Sequence, residues 1–74
     1  MGTPARLDGH ALKTIRERRG WSQAQLAERL GASRFHITNL ERGQKQPSFA
    51  MAVALATALD VPLEDITAQP AAVA

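Results

Sequence analysis

Three glycines, Gly20, Gly31 and Gly43, stand eleven and twelve residues apart in the middle of the chain. This punctuation constrains the fold more than any other feature. Glycine suits the left-handed position that ends a helix. Each glycine is followed within a few residues by a serine, Ser22, Ser33 or Ser48, whose hydroxyl can accept from the free amides of a new helix. Between these marks, apolar residues recur at three- and four-residue intervals, the spacing of one helix face. The chain therefore reads as a run of short helices with tight connections.

The elements follow in order. Asp8 caps a first helix running to about Arg19, with Leu12 and Ile15 on one face and Ala11 beside them. Arg18 and Arg19 suit its C-terminus, and Trp21 is expected to fold back as an apolar lid. Ser22-Gln23-Ala24-Gln25 forms a capping box that opens a second helix ending at Leu30, with Leu26, Ala27 and Leu30 inward. A third helix spans about Arg34 to Arg42, with Ile37 and Leu40 inward. A fourth spans Phe49 to Leu59 until Val61-Pro62 breaks it, and Leu63 to Thr67 make a last turn. No alternating β-branched or aromatic run marks a strand. The expectation is an all-α fold of five helices over residues 8–67, with a flexible leader (1–7) and a flexible tail (68–74).

Composition narrows the function. The 74-residue chain has no cysteine, which excludes a disulfide framework, a thiolate metal site and a cysteine nucleophile. His10 and His36 have no carboxylates at ligand spacing, so neither a metal nor another cofactor is expected. The longest apolar run, Phe49 to Ala56, is eight residues, against about 20 for a bilayer span. No signal peptide is visible, and the sequence reads as cytoplasmic with no membrane partner. No nucleophile is paired with a base, so an enzyme is not expected. Residues 1–45 carry all nine basic residues against four acids, and residues 46–74 carry three acids and no base. A concentration of positive charge suits a polyanionic partner, although a solvated charged face reads the same way.

The informative segment is Gln23 to Gly43. Two short helices joined by a minimal turn at Gly31 have helix-turn-helix geometry, which sets them at a steep angle. With Ile37 and Leu40 anchoring the second helix, Arg34, Phe35, Thr38 and Asn39 point outward.

At this point the sequence resembles a known family. The run Leu12-Lys13-Thr14-Ile15-Arg16-Glu17-Arg18-Arg19-Gly20-Trp21-Ser22-Gln23-Ala24-Gln25-Leu26-Ala27 is similar to the opening of Cro/lambda-repressor-like (XRE) helix-turn-helix proteins. Gly31-Ala32-Ser33-Arg34 and Ile37-Thr38-Asn39-Leu40-Glu41-Arg42-Gly43 resemble the family's turn and recognition helix. Pro47-Ser48 and Leu59 to Ile66 resemble its last two helices. The resemblance covers Leu12 to Ile66 and implies a five-helix lambda-repressor-like domain.

It also implies roles. Base contacts would come from Ser33, Arg34, Phe35, Thr38 and Asn39, and phosphate contacts from Gln23, His36, Arg42, Gln44 and Lys45. A guanidinium at Arg34 can bond guanine O6 and N7 together, or else hold a phosphate. Phe35 departs from the polar residue usual in the family. It could meet a thymine methyl or be buried against the first helix. Arg16 and Glu41 correspond to the family's structural ion pair, with two independent surface charges as the alternative.

The resemblance implies a transcriptional regulator, a repressor, that binds double-stranded DNA through helix 34–42. Relatives act as homodimers on inverted repeats. Met51, Ala54, Val61, Pro62 and Leu63 are the candidate dimer or partner contacts. On a helical wheel Phe49, Ala52, Val53, Leu55, Ala56 and Leu59 face inward. Ala50, Met51, Ala54, Thr57 and Ala58 then form a smooth, uncharged outer arc. The competing reading is a protein-interaction module, such as a toxin-neutralising antitoxin or an adaptor, that grips a partner through helix 49–59 or the C-terminal tail.

Overall fold

The computed structural model describes residues 6–68. Its elements are β1 (Arg6–Leu7), α1 (Gly9–Arg18), α2 (Gln23–Leu30), α3 (Arg34–Glu41), α4 (Phe49–Leu59), a 3-10 turn (Leu63–Ile66) and β2 (Thr67–Ala68). Every α-helix begins at a side-chain cap. Asp8 Oδ1 accepts from the Ala11 amide at 3.1 Å, and Ser33 Oγ from His36 at 3.1 Å. Ser48 Oγ accepts from Met51 at 3.1 Å. At Ser22 both halves of the capping box form: its Oγ takes the Gln25 amide at 3.0 Å, and its own amide donates to Gln25 Oε1 at 2.8 Å. Gly31 closes α2 at φ +65°, where a side chain would be strained. α4 ends differently, on Asp60 at φ +58°, one of the few non-glycine residue types that visit this region.

Three expectations need correction. Among the described residues the α-helices number four, not five. The last segment has only four residues and is a 3-10 turn, with Asp65 N–H donating to the Pro62 carbonyl at 3.0 Å. A strand pair does exist. Arg6 pairs with Ala68 and Leu7 with Thr67, antiparallel, and the Asp8 amide extends the link to the Ile66 carbonyl at 2.8 Å. Two-residue strands are too short to show alternation. Arg6, Leu7 and Ala68 thus leave the expected leader and tail, whose remaining residues, 1–5 and 69–74, lie outside the described residues.

The third correction concerns α4. Phe49 is 75% and Val53 40% exposed, not inward, while Met51 and Ala58 are half-buried against the core. Phe49 is the first residue of the helix, beyond the edge of the core, and Val53 lies one turn later on the same line.

All four α-helices and the 3-10 turn contribute to one core. Leu12, Leu26, Ile37, Leu40, Leu55, Leu59 and Ile66 are fully buried, and Ile15, Trp21, Leu30, Val61 and Leu63 pack around them. Burying each such side chain contributes roughly 1.5–3 kcal/mol. Ile37 and Leu40 are what seat α3 on this core, leaving its opposite side free.

Candidate nucleic-acid interface

α2 and α3 are joined by Gly31, Ala32 and Ser33. The left-handed Gly31 reverses the chain, and Ser33 opens α3 directly, so α3 begins with its first turn clear of the core. Arg34 and Phe35 are exposed, Phe35 by 74%. Burial of Phe35 against the first helix is thereby excluded. Asn39 and His36 are half-exposed, and Ser33, Arg42, Gln44 and Lys45 are exposed. The Gln44 amide donates to the Asn39 carbonyl at 3.0 Å, which ties the polar segment after α3 to the helix.

A polar junction fixes the angle of α3. Arg16 Nε donates to Glu41 Oε2 at 2.6 Å and its Nη2 to Oε1 at 3.2 Å, a two-pronged ion pair. Arg16 Nη1 donates to the Trp21 carbonyl at 2.6 Å. The two side chains are 7% and 3% exposed, so the pair is desolvated. Gln23, at the start of α2, uses both ends of its amide. Nε2 donates to Glu41 Oε1 at 3.0 Å, and Oε1 accepts from Thr38 Oγ1 at 3.0 Å. The same Thr38 hydroxyl lies 3.1 Å from the Arg34 carbonyl and so shares one proton between two acceptors. Thr38 is thus held inside the junction, while Arg34, Phe35 and Asn39 line the outer side of α3. Side chains from α1 and α2 therefore grip α3 directly. No buried side-chain polar atom among the described residues lacks a partner.

The sequence reading missed the backbone contact at Gly9. A Cβ there would lie 2.6 Å from the Leu40 carbonyl oxygen and nearer still to that of Glu41. The first turn of α1 thus rests on the carbonyl end of α3, and only glycine allows it. A glycine just inside a helix start, where it lowers propensity, was the available signal. Gln46 was also missed: its Oε1 accepts from the Leu7 amide at 2.9 Å. The Trp21 ring carries Arg29 at 4.7 Å from its centroid, a cation–π contact.

The expected dimer residues do not form one patch. Leu63 and Phe49 border a groove of about 370 Å³ with Leu7 and Pro47. Val61 instead faces α1 beside His10, Arg18 and Asp65, and Ala54 lies by Arg29 and Leu30. Met51 is half-buried and Pro62 exposed. The basic N-terminal half also divides: Arg19 Nη2 donates to the Asp60 carbonyl at 3.3 Å, on the side of the acidic C-terminal residues. Among the described residues there is no metal-ligand cluster, and no helix is long and apolar enough to cross a membrane.

Comparison with known proteins matches this geometry to relatives. A helix-turn-helix family model matches residues 12–66. The chain is 36% identical over 70 residues to the HTH-type transcriptional regulator SutR of Escherichia coli, covering 95% of this chain and 39% of that protein. It thus spans about two fifths of that relative's length. The restriction-modification controller protein C.AhdI of Aeromonas hydrophila superposes with a TM-score of 0.73 at 37% identity, over 77% of this chain and 86% of that one. The P22 c2 repressor, solved with a synthetic operator, superposes with a TM-score of 0.74 at 28% identity, over 78% and 88%. The chain belongs to the Cro/lambda-repressor-like (XRE-type) helix-turn-helix family.

Proposed function

We propose that the domain is a sequence-specific DNA-binding transcriptional regulator, a repressor, that places α3 in the major groove of operator DNA in the cytoplasm. The observation that carries this reading is the outward row of Arg34, Phe35 and Asn39 on a helix held rigidly by Arg16, Gln23 and Glu41. Arg34 can read guanine through O6 and N7, Asn39 can read adenine, and the exposed Phe35 ring can cover a thymine methyl. Ser33 opens α3 at the groove, and Thr38 acts through the brace. Gln23, His36, Arg42, Gln44 and Lys45 flank the row and hold phosphates, which position without specifying. The names of SutR and of the operator-bound P22 c2 repressor support the regulatory reading.

One recognition helix reads only a few base pairs, so specific binding calls for a second half-site. The domain acts as a homodimer on an inverted repeat. Of the expected contact residues, Leu63 beside the exposed Phe49 offers the apolar surface for this, with Pro62 adjoining; Met51, Ala54 and Val61 serve it less. Titration against specific and scrambled duplexes at several salt concentrations tests the reading. Affinity should fall steeply with salt as counterions are released. Arg34→Ala should cost about 1–3 kcal/mol and relax preference at one base pair, whereas Lys45→Ala should weaken all sequences alike. Absence of binding at low salt would refute the proposal, and recovery of a protein partner without DNA would favour the adaptor.

A further inference from the structure

His10, Thr14 and Arg18 stand at i, i+4 and i+8 of α1, in one row along the helix. Arg16, which Glu41 of α3 holds, comes two residues before Arg18, so Arg18 points roughly 200° around the helix from it. The row therefore looks away from α3. It borders a groove of about 520 Å³ between α1 and the residues after α4, with Ile15, Arg19, Val61 and Asp65. Ile15 and Val61 make an apolar floor, since both pack against the core. The rim is basic: His10, Arg18 and Arg19 are exposed, against one acid, Asp65. Arg19 bonds only a neutral carbonyl, that of Asp60, and no ion pair among the described residues engages any of the three. With α3 in the DNA groove, this charge stands on the far side of α1 and remains unanswered. The groove bordered by Leu63 and Phe49 is a separate one.

We infer that the α1 groove docks an acidic amphipathic helix of a partner protein, on a face that DNA held by α3 leaves free. Charge complementarity and spacing select that occupant. A row of side chains at one-turn intervals is a ridge against which another helix packs. His10 and Arg18 are about 12 Å apart along the axis, so carboxylates two turns apart on the partner meet both. An apolar side chain between them settles on Ile15 and Val61, as the anchor of a helix laid in a groove does. Asp65, on the opposite wall, confines the partner's acids to the α1 side. Such a partner joins the operator complex instead of competing with it, and its seat differs from the α4 or tail grip of an adaptor.

The test uses the full chain and a library of displayed helical peptides selected for binding to it. Recovered peptides should carry Glu or Asp two turns apart with an apolar residue between. Arg18→Glu should weaken them about tenfold, because like charges then face each other, while the denaturation midpoint barely moves. Arg18→Gln, the milder change, should lose affinity in the same direction. Exchanging the facing Glu of the peptide for Lys should restore binding to Arg18→Glu, which a merely structural role of Arg18 would not do. The peptide should add to a protein–duplex complex without displacing the duplex. A library that yields no binder, recovered peptides without acids, or equal binding by wild type and both variants would overturn the inference. So would displacement of the duplex, which would put the peptide at α3, or dissociation of a homodimer, which would give the groove to a second copy. A wild-type protein that binds the peptides but no duplex would refute the DNA-binding reading and leave the docking site standing.

Discussion

The junction of α1, α2 and α3 and the outer face of α4 are held by opposite means. At the junction, Arg16, Gln23, Thr38 and Glu41 exchange directional bonds of 2.6–3.2 Å, and Gly9 lets two backbones touch. Along α4, from Phe49 to Leu59, no residue is charged, and the helix is held by burial of Ala52, Leu55, Ala56 and Leu59. Directional bonds specify an angle; burial specifies only that some apolar side is covered. A helix that must present side chains to a groove needs the first kind of support. The scaffold behind it is adequately held by the second.

The comparison breaks most readily at Arg16. Arg16→Met removes the counter-ion of a carboxylate that is 3% exposed, which should cost about 3–5 kcal/mol. For a domain of this size that lowers Tm by tens of degrees. Arg16→Met combined with Glu41→Leu should recover much of the loss, because no buried charge is left alone. Chemical denaturation of the two single variants and the pair gives the coupling directly. A double variant as unstable as the sum of the singles would mean that the pair is not coupled.

Gly9→Ala comes next. Alanine normally gains over glycine inside a helix by roughly 0.5–1 kcal/mol. Here its methyl would overlap the carbonyl end of α3, and backbone atoms cannot swing aside as a side chain can. A net loss of roughly 1–3 kcal/mol is expected, together with weaker DNA binding as α3 is displaced. Gly31→Ala is the control, since nothing stands within 4 Å of its added Cβ and only left-handed strain of about 1 kcal/mol should appear.

These two regions also differ in how far the sequence disclosed them. Helix starts were legible because each has a local cap chemistry in Asp8, Ser22, Ser33 and Ser48. Arg16 and Glu41 are 25 residues apart, and no periodicity joins them; only the family resemblance suggested what the structure brings together. Gly9 escaped notice because a close approach between backbones is a property of packing. Helix α4 misled the wheel because, without a charged residue, several arcs look equally apolar. Its end at Leu59 was legible from Val61-Pro62, but its cap was not: Asp60 does there what glycine does after α2.

Asp60 supplies a smaller test on the scaffold side. Asp60→Gly removes the Cβ penalty at φ +58° and takes a negative charge from the negative end of α4. Stability should rise by a few tenths to about 1 kcal/mol. The denaturation midpoint should increase with an unchanged m-value. A fall would show that the Asp60 side chain has a role that its backbone geometry does not reveal.

The smallest expected effect separates the two accounts of α4. If Phe49 faced inward, as the wheel placed it, truncating it would cost about 3–5 kcal/mol. At 75% exposure, Phe49→Glu should change monomer stability by no more than about 0.5 kcal/mol. The carboxylate, standing in the first turn of the helix, also offsets part of the lost contact. Sedimentation should register the substitution where denaturation at low concentration does not. A second copy using the groove shared by Phe49 and Leu63 would meet two like charges near the symmetry axis, and the dimer on a two-half-site duplex should weaken. A large loss of stability would return Phe49 to the core. Unchanged stability with unchanged assembly would leave the apolar edge of α4 outside the dimer contact and move that contact towards Val61 and Pro62.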